Sequence, residues 1–161
     1  MTKIDELLGR ELGKVGASSG KIAESVGDKI GLPTSSVMAG LGASFGARTA
    51  AKFLPTEQHQ VELTIRSDPR FILTKIHAFL SSNGRVTESE ELGESPFPTI
   101  SGVVGSGFFN KNPTILSAMI TAIASDSCTI VVSGAAKEGL IKQRSAVKAV
   151  DRLVAALTAC G

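Results

Sequence analysis

Apolar residues recur along this chain in two rhythms, and the change falls near Pro55. Before it, Ile4, Leu7, Leu8, Leu12 and Val15 return at three- and four-residue steps, as do Ile22, Val26 and Ile30. Each set marks one face of an amphipathic helix. GLPTSS at 31–36 interrupts the pattern, because Gly31 stops one helix and Pro33 blocks its continuation. VMAGLGASFGARTAAKFL, 37–54, resumes it as a third helical stretch. After Pro55 the chain alternates. HQVELTIRS, 59–67, sets Val61, Leu63 and Ile65 against Glu62, Thr64 and Arg66, the pattern of a half-buried strand. SDPRFILTKIHAFLSSNG, 67–84, then reads as a helix. Asp68 suits the N-cap and Pro69 the first helical position. Phe71, Ile72, Ile76, Phe79 and Leu80 form its apolar stripe with Lys75 at the margin, and Asn83-Gly84 is expected to close it in a left-handed cap.

Four strand-like runs follow. RVTESEEL, 85–92, is polar and acidic, as an exposed edge strand would be. PTISGVVGSGFF, 98–109, is long and glycine-containing, and NKNP at 110–113 has turn chemistry. TILSAMITAIA, 114–124, and CTIVVSGAA, 128–136, are apolar strands separated by a turn. SAVKAVDRLVAAL, 145–157, places Val147, Val150, Val154 and Leu157 on one helical face, with Ser145 as its expected cap. The order β-α-β-β-β-β-α predicts an α+β fold, an antiparallel sheet of about five strands with both helices on one face. The expected division is a Gly/Ala/Ser-rich helical arm over 1–55 and the α+β domain over 56–161.

Composition sharpens the reading of the arm. Nine of the seventeen glycines lie in the first 50 residues, several in pairs four apart (Gly9 and Gly13, Gly16 and Gly20, Gly27 and Gly31, Gly42 and Gly46). Glycine costs a helix roughly 1 kcal/mol per residue relative to alanine. Such a row makes sense as a flat face against which another helix or a membrane surface comes close. The arm therefore points to packing on the domain, to a homo-oligomer through residues 1–55, or to peripheral membrane contact. No run reaches ~18 apolar residues, the nearest being the uncharged but Gly-, Ser- and Thr-rich 31–47, so no spanning helix is expected, and the start MTKIDELLGREL, with acids at Asp5 and Glu6 and no apolar central segment, does not read as a secretory signal. Two widely separated cysteines, Cys128 and Cys160, suggest neither a disulfide framework nor a zinc site. A reducing, cytoplasmic location is expected, free or peripheral to a membrane. The net charge of +2, the absence of Tyr and Trp, and seven scattered Phe argue against nucleic acid as a partner.

The residues that invite a chemical reading are few. SGVVGSGFFNKNP, 101–113, carries Gly102, Gly105 and Gly107. A phosphate-binding loop needs Lys and Ser/Thr where Phe108 and Phe109 stand, and it opens a helix, whereas here a turn and a strand follow. The glycines instead mark a strand that bends or is closely approached, and the two rings point to opposite faces. In AAKEGLIKQRS, 135–145, Lys137, Lys142 and Arg144 crowd the start of the last helix, opposed only by Glu138. Positive charge beside free backbone N–H groups would suit an anion; the alternative is a solvated loop, or pairing with the acids of 88–94. His59 and His77 have no partner at metal-ligand spacing and read as structural or exposed, so no metal is expected. Glu88, Glu90, Glu91 and Glu94 read as a solvated strand edge. No nucleophile-elbow sequence or acid–base pair is present, so no catalytic residue is assigned.

Over residues 59–159 the element order resembles the TATA-binding-protein-like arrangement. It also looks like a reduced helix-grip fold of START-type lipid-transfer and polyketide-cyclase-like proteins. That resemblance implies a curved sheet gripping the C-terminal helix around an apolar ligand. The family pattern has two short helices after the first strand and about six later strands, where this chain has one and four. The function expected from all this is a non-catalytic binding module. It would hold a small apolar or amphipathic, lipid-like ligand between sheet and C-terminal helix, without a cofactor. Phe108 and Phe109 would give apolar contact, and Lys137, Lys142 and Arg144 would meet an anionic end. The alternatives are an assembly protein whose arm docks on another subunit or a membrane, and a cyclase- or hydrolase-like enzyme using the same cavity.

Overall fold

The computed structural model describes residues 4, 6–12, 14, 54–93, 95–106, 112–138 and 142–159. Gly107, Phe108, Phe109, Glu94, Cys160 and the second and third helical stretches of the arm lie outside them. The chain divides into two compact units, Met1–Pro55 and Thr56–Gly161. In the first, Ile4, residues 6–12 and Lys14 are helical, and Leu8 is fully buried. Glu11, also buried, accepts from Lys14 Nζ at 2.9 Å. No helix among the described residues is long and apolar enough to cross a membrane.

The second unit is α+β. Its elements are β1 (Thr56–Ile65), α1 (Pro69–Asn83), β2 (Gly84–Ser89), β3 (Thr99–Ser106), β4 (Asn112–Ile123), β5 (Cys128–Lys137) and α2 (Ser145–Thr158). The strands form one antiparallel sheet in the order β1-β5-β4-β3-β2. β1 and β2, consecutive in sequence, are thus opposite edges. Crossing a five-strand sheet takes about 19 Å at ~4.8 Å per strand spacing. The fifteen residues of α1 span about 22 Å at 1.5 Å each, so α1 is long enough to make the crossing. The later strands then return as hairpins until β5 meets β1.

Both helices lie on one face of the sheet, α1 against β2 and β3, and α2 against β5, β1 and β4. The alternation seen in the sequence decides which side chains they cover. Val61, Leu63 and Ile65 on β1 share that face with Val132, Ile130 and Cys128 on β5. Across the sheet Leu116, Ala118 and Ile120 of β4 and Ile100 and Val104 of β3 continue the layer. Ile76 and Leu80 of α1 and Val150 and Leu153 of α2 close it, all fully buried. The other face carries a row of three serines in register, Ser101, Ser117 and Ser133, with 2.9 Å between the Oγ atoms of Ser101 and Ser117.

The start of α1 follows its local sequence. Asp68 is the N-cap and its carboxylate accepts from Arg70 N at 2.7 Å, with Pro69 behind it. Asp68→Ala should cost about 1 kcal/mol, readable as a small drop in urea midpoint at unchanged slope. The end of α1 departs from expectation. Gly84 has φ 176°, which is extended backbone and not a left-handed cap. The chain passes straight from helix to strand there because β2 pairs at once with β3. A Cβ on Gly84 would lie 2.0 Å from the Val103 carbonyl oxygen. Asn112 and Pro113, expected in a turn, already belong to β4. Gly102 is a point of close approach, as its strand context suggests: a Cβ there would meet the Arg85 carbonyl oxygen at 2.7 Å and Leu80 at 3.1 Å.

Candidate functional site

Two places gather polar side chains around ordered backbone. The first is the start of α2. Arg144 precedes it in a left-handed conformation, φ 54° and ψ 46°, and its side chain makes no cap. Ser145, the expected cap, is instead the first helical residue, and its side chain is buried. The cap comes from farther away. Glu138 Oε2 accepts from Gln143 N at 2.6 Å and Glu138 Oε1 from Ser145 N at 2.9 Å. Glu57, on β1, accepts from Ala146 N at 2.8 Å. Asn112 Nδ2 donates to Ser145 Oγ at 2.7 Å and to the Lys137 carbonyl at 3.1 Å. Residues of β1 and β4 and the residue that follows β5 therefore hold one helix end. Burial pushes the Glu138 carboxyl up, but the Ser145 and Gln143 N–H groups, the Ser145 hydroxyl and the Glu57 side chain outweigh it and hold the carboxyl below its ordinary value.

This arrangement bears directly on the basic cluster. Lys137 is buried and its Nζ donates to Thr56 Oγ1 at 2.7 Å. Lys142 and Arg144 are exposed. The N–H donors that would attract an external anion are held by the chain's own carboxylates, which also bring negative charge to the positive end of the helix dipole. Glu57 lies 89 residues from the N–H it caps, so no local motif announces it.

At Gly134 α2 lies directly on β5. A Cβ on Gly134 would meet Val150 Cγ2 at 2.8 Å, the Ala146 carbonyl oxygen at 3.0 Å and Leu116 Cδ2 at 3.3 Å. At this point sheet and C-terminal helix are in direct contact, because a side-chain-free residue lets the helix backbone settle onto the strand.

The second place is a groove of about 440 Å³, open to solvent, between α1 and the far end of β2. Leu73 and Ile100 line it from the core, 8% and 2% exposed. Arg70, Thr74 and His77 stand on the α1 side, and Ser89, Glu90, Glu91 and Leu92 on the other. Pairing across the β2–β3 connection holds the acidic wall in place. Glu90 N donates to the Thr99 carbonyl at 3.0 Å, and Glu90 Oε2 accepts from Thr99 N at 3.1 Å. Gly93, at φ 103°, makes the turn beyond it. The fold thus assembles a lone histidine and part of an acidic run, each unremarkable in the sequence, on opposite walls of one groove. The i, i+3, i+4, i+7 spacing of Arg70, Leu73, Thr74 and His77 is the one signal that places them on a shared helix face. Among the described residues no group of three His, Cys, Asp or Glu side chains could hold a metal ion.

No family model matches the chain, and no curated protein does. Solved structures with related outlines include an uncharacterised protein from Bacillus thuringiensis, 12% identical over 65% of this chain and 98% of its own, TM-score 0.34. Norcoclaurine synthase from Thalictrum flavum is 14% identical over 66% of this chain and 84% of its own, TM-score 0.33. The Zhui aromatase/cyclase from Streptomyces sp. R1128 is 6% identical over 66% and 86%, TM-score 0.28. Likeness at these values carries no activity with it.

Proposed function

We propose that the Thr56–Gly161 unit is a non-catalytic binding module for a small amphipathic ligand, taken in the groove beside α1 and not beneath α2. The groove is the observation that carries this reading. Its volume lies in the ~300–1,000 Å³ range of small-molecule sites. Leu73, Ile100 and Leu92 offer apolar contact, Arg70 and His77 a basic wall, and Glu90 an acidic one. An apolar body with a polar or charged end matches that lining. A lipid-like ligand is one member of the class, bound by a short stretch of its chain.

Native mass spectrometry of freshly purified protein tests the reading. The expected spectrum shows a co-purified small molecule at one per chain. His77→Trp, an exposed helical position, puts an indole into the groove and should abolish that adduct while leaving thermal stability within about 0.5 kcal/mol. An adduct that survives in His77→Trp at full occupancy places the ligand elsewhere and sinks the proposal, as does a ligand-free native chain that also fails to bind any amphiphile from a fragment set.

A further inference from the structure

β1 is an edge of the sheet, ten residues long and paired to β5 in an unbroken register. Open edges are usually blunted by lysine, proline, a bulge or short length. The opposite edge follows that rule, since β2 is six residues long and bulged between Val86 and Glu88. β1, TEQHQVELTI, uses none of these devices.

A separate observation comes from α2. Arg152 reaches the Asn83 side chain and, at 3.5 Å, the Gly105 carbonyl, so it marks the flank that faces α1. At 100° per residue, Val147 and Val154 fall on the opposite flank, toward β1. Both are half-buried, as are Val61 and Leu63 on the helix side of β1. This long, unbulged edge, whose one inward charge, Glu57, is taken up by Ala146 N, is therefore bordered by four partly covered apolar side chains.

We infer that a second copy of this chain docks here, β1 antiparallel to β1 about a two-fold axis at Gln60. The sequence of β1 is complementary to its own reversal in that register. Gln60 faces Gln60 of the copy, Gln58 faces Glu62, and Thr56 faces Thr64. Amide meets carboxylate and no like charges stand opposed, which is the favourable form of cross-strand pairing. On the other face His59 meets Val61, and the valine flanks of the two α2 helices approach across the axis. The product is a continuous ten-stranded sheet with all four helices on one side. Self-pairing selects a second copy over a foreign strand, which would satisfy the backbone without matching this row.

Disulfide trapping in the full-length chain tests the register, in a Cys160→Ser background. Opposed Cα atoms in antiparallel strands stand about 4.5–5.5 Å apart, within the ~4.4–6.8 Å that a disulfide spans. Gln60→Cys should give a covalent dimer under mild oxidation. Gln58→Cys alone should not, whereas Gln58→Cys mixed with Glu62→Cys should. All three positions are exposed, so the fold is not at stake. In sedimentation the unsubstituted chain should dimerise, and Gln60→Lys, which opposes two ammonium groups, should raise the dissociation constant several-fold. A chain that stays monomeric at about 100 µM, far above a micromolar dissociation constant, overturns the inference. So does a dimer in which Gln60→Cys cross-links no faster than Gln58→Cys, because that dimer is held by another surface.

Discussion

Replacing Glu138 by alanine is expected to lower the stability of the domain by about 2–4 kcal/mol, from one buried and one half-buried N–H group that lose this acceptor at ~1–3 kcal/mol each, less what water recovers. For a domain of this size that is a fall in Tm of roughly 10–15 °C. The N–H groups are those of Gln143 and Ser145, and Glu138 is only 5% exposed, so solvent cannot readily replace it. Glu57 caps only Ala146. The effect of Glu138→Ala should therefore appear in hydrogen exchange first at 143 and 145. The same carboxylate gives a pH dependence. Its folded-state value lies below the ordinary 4.5, so the unfolded chain takes up the proton first as pH falls. The stabilisation is fully present above about pH 4.5 and is lost from there down through the folded-state value. Glu138→Gln should flatten the acid limb of the stability profile. An acid limb as steep as the native one would show that other carboxylates govern it.

Gly134→Val should be more damaging still, at about 3 kcal/mol or more, above the usual range for overpacking. The clash is not with the end of a flexible side chain. The Ala146 carbonyl oxygen belongs to the α2 backbone, and Val150 is itself fully buried. Relief requires α2 to lift from β5, which would also pull Ser145 and Ala146 away from Glu138 and Glu57. The expected readout is early hydrogen exchange throughout α2 while α1 stays protected. A variant of native urea midpoint would mean that α2 does not sit on Gly134 as described.

These two sites also show where the sequence stops being legible. Elements whose signals are local were readable. Asp68 caps an N–H two residues away, β1 alternates because one face is covered by helices, and β4 and β5 show as continuous apolar runs. Hairpin-length connections then imply the meander from β2 to β5. The cap of α2 was not readable, since its acceptors come seven and 89 residues before the donors. In the cluster of Lys137, Lys142 and Arg144 the sequence shows Glu138 as an opposing charge but not as the cap of α2. The groove was hidden in the same way: His77 lies on α1 and Glu90 beyond β2, and only the packing of one on the other makes a site. Gly84 misled for a different reason. A helix ending in Asn-Gly usually turns, but here the demand of the β2–β3 pairing for an extended glycine prevails.

The placement of β1 at one edge and β2 at the other has a consequence for the growing chain. Every other strand finds a neighbour within a hairpin of itself, but Gln60 of β1 pairs with Ser133, about 70 residues later. At about 5–20 residues per second of synthesis, β1 waits several seconds for β5, its partner among the described strands. Of the five described strands it is the first made and the last paired.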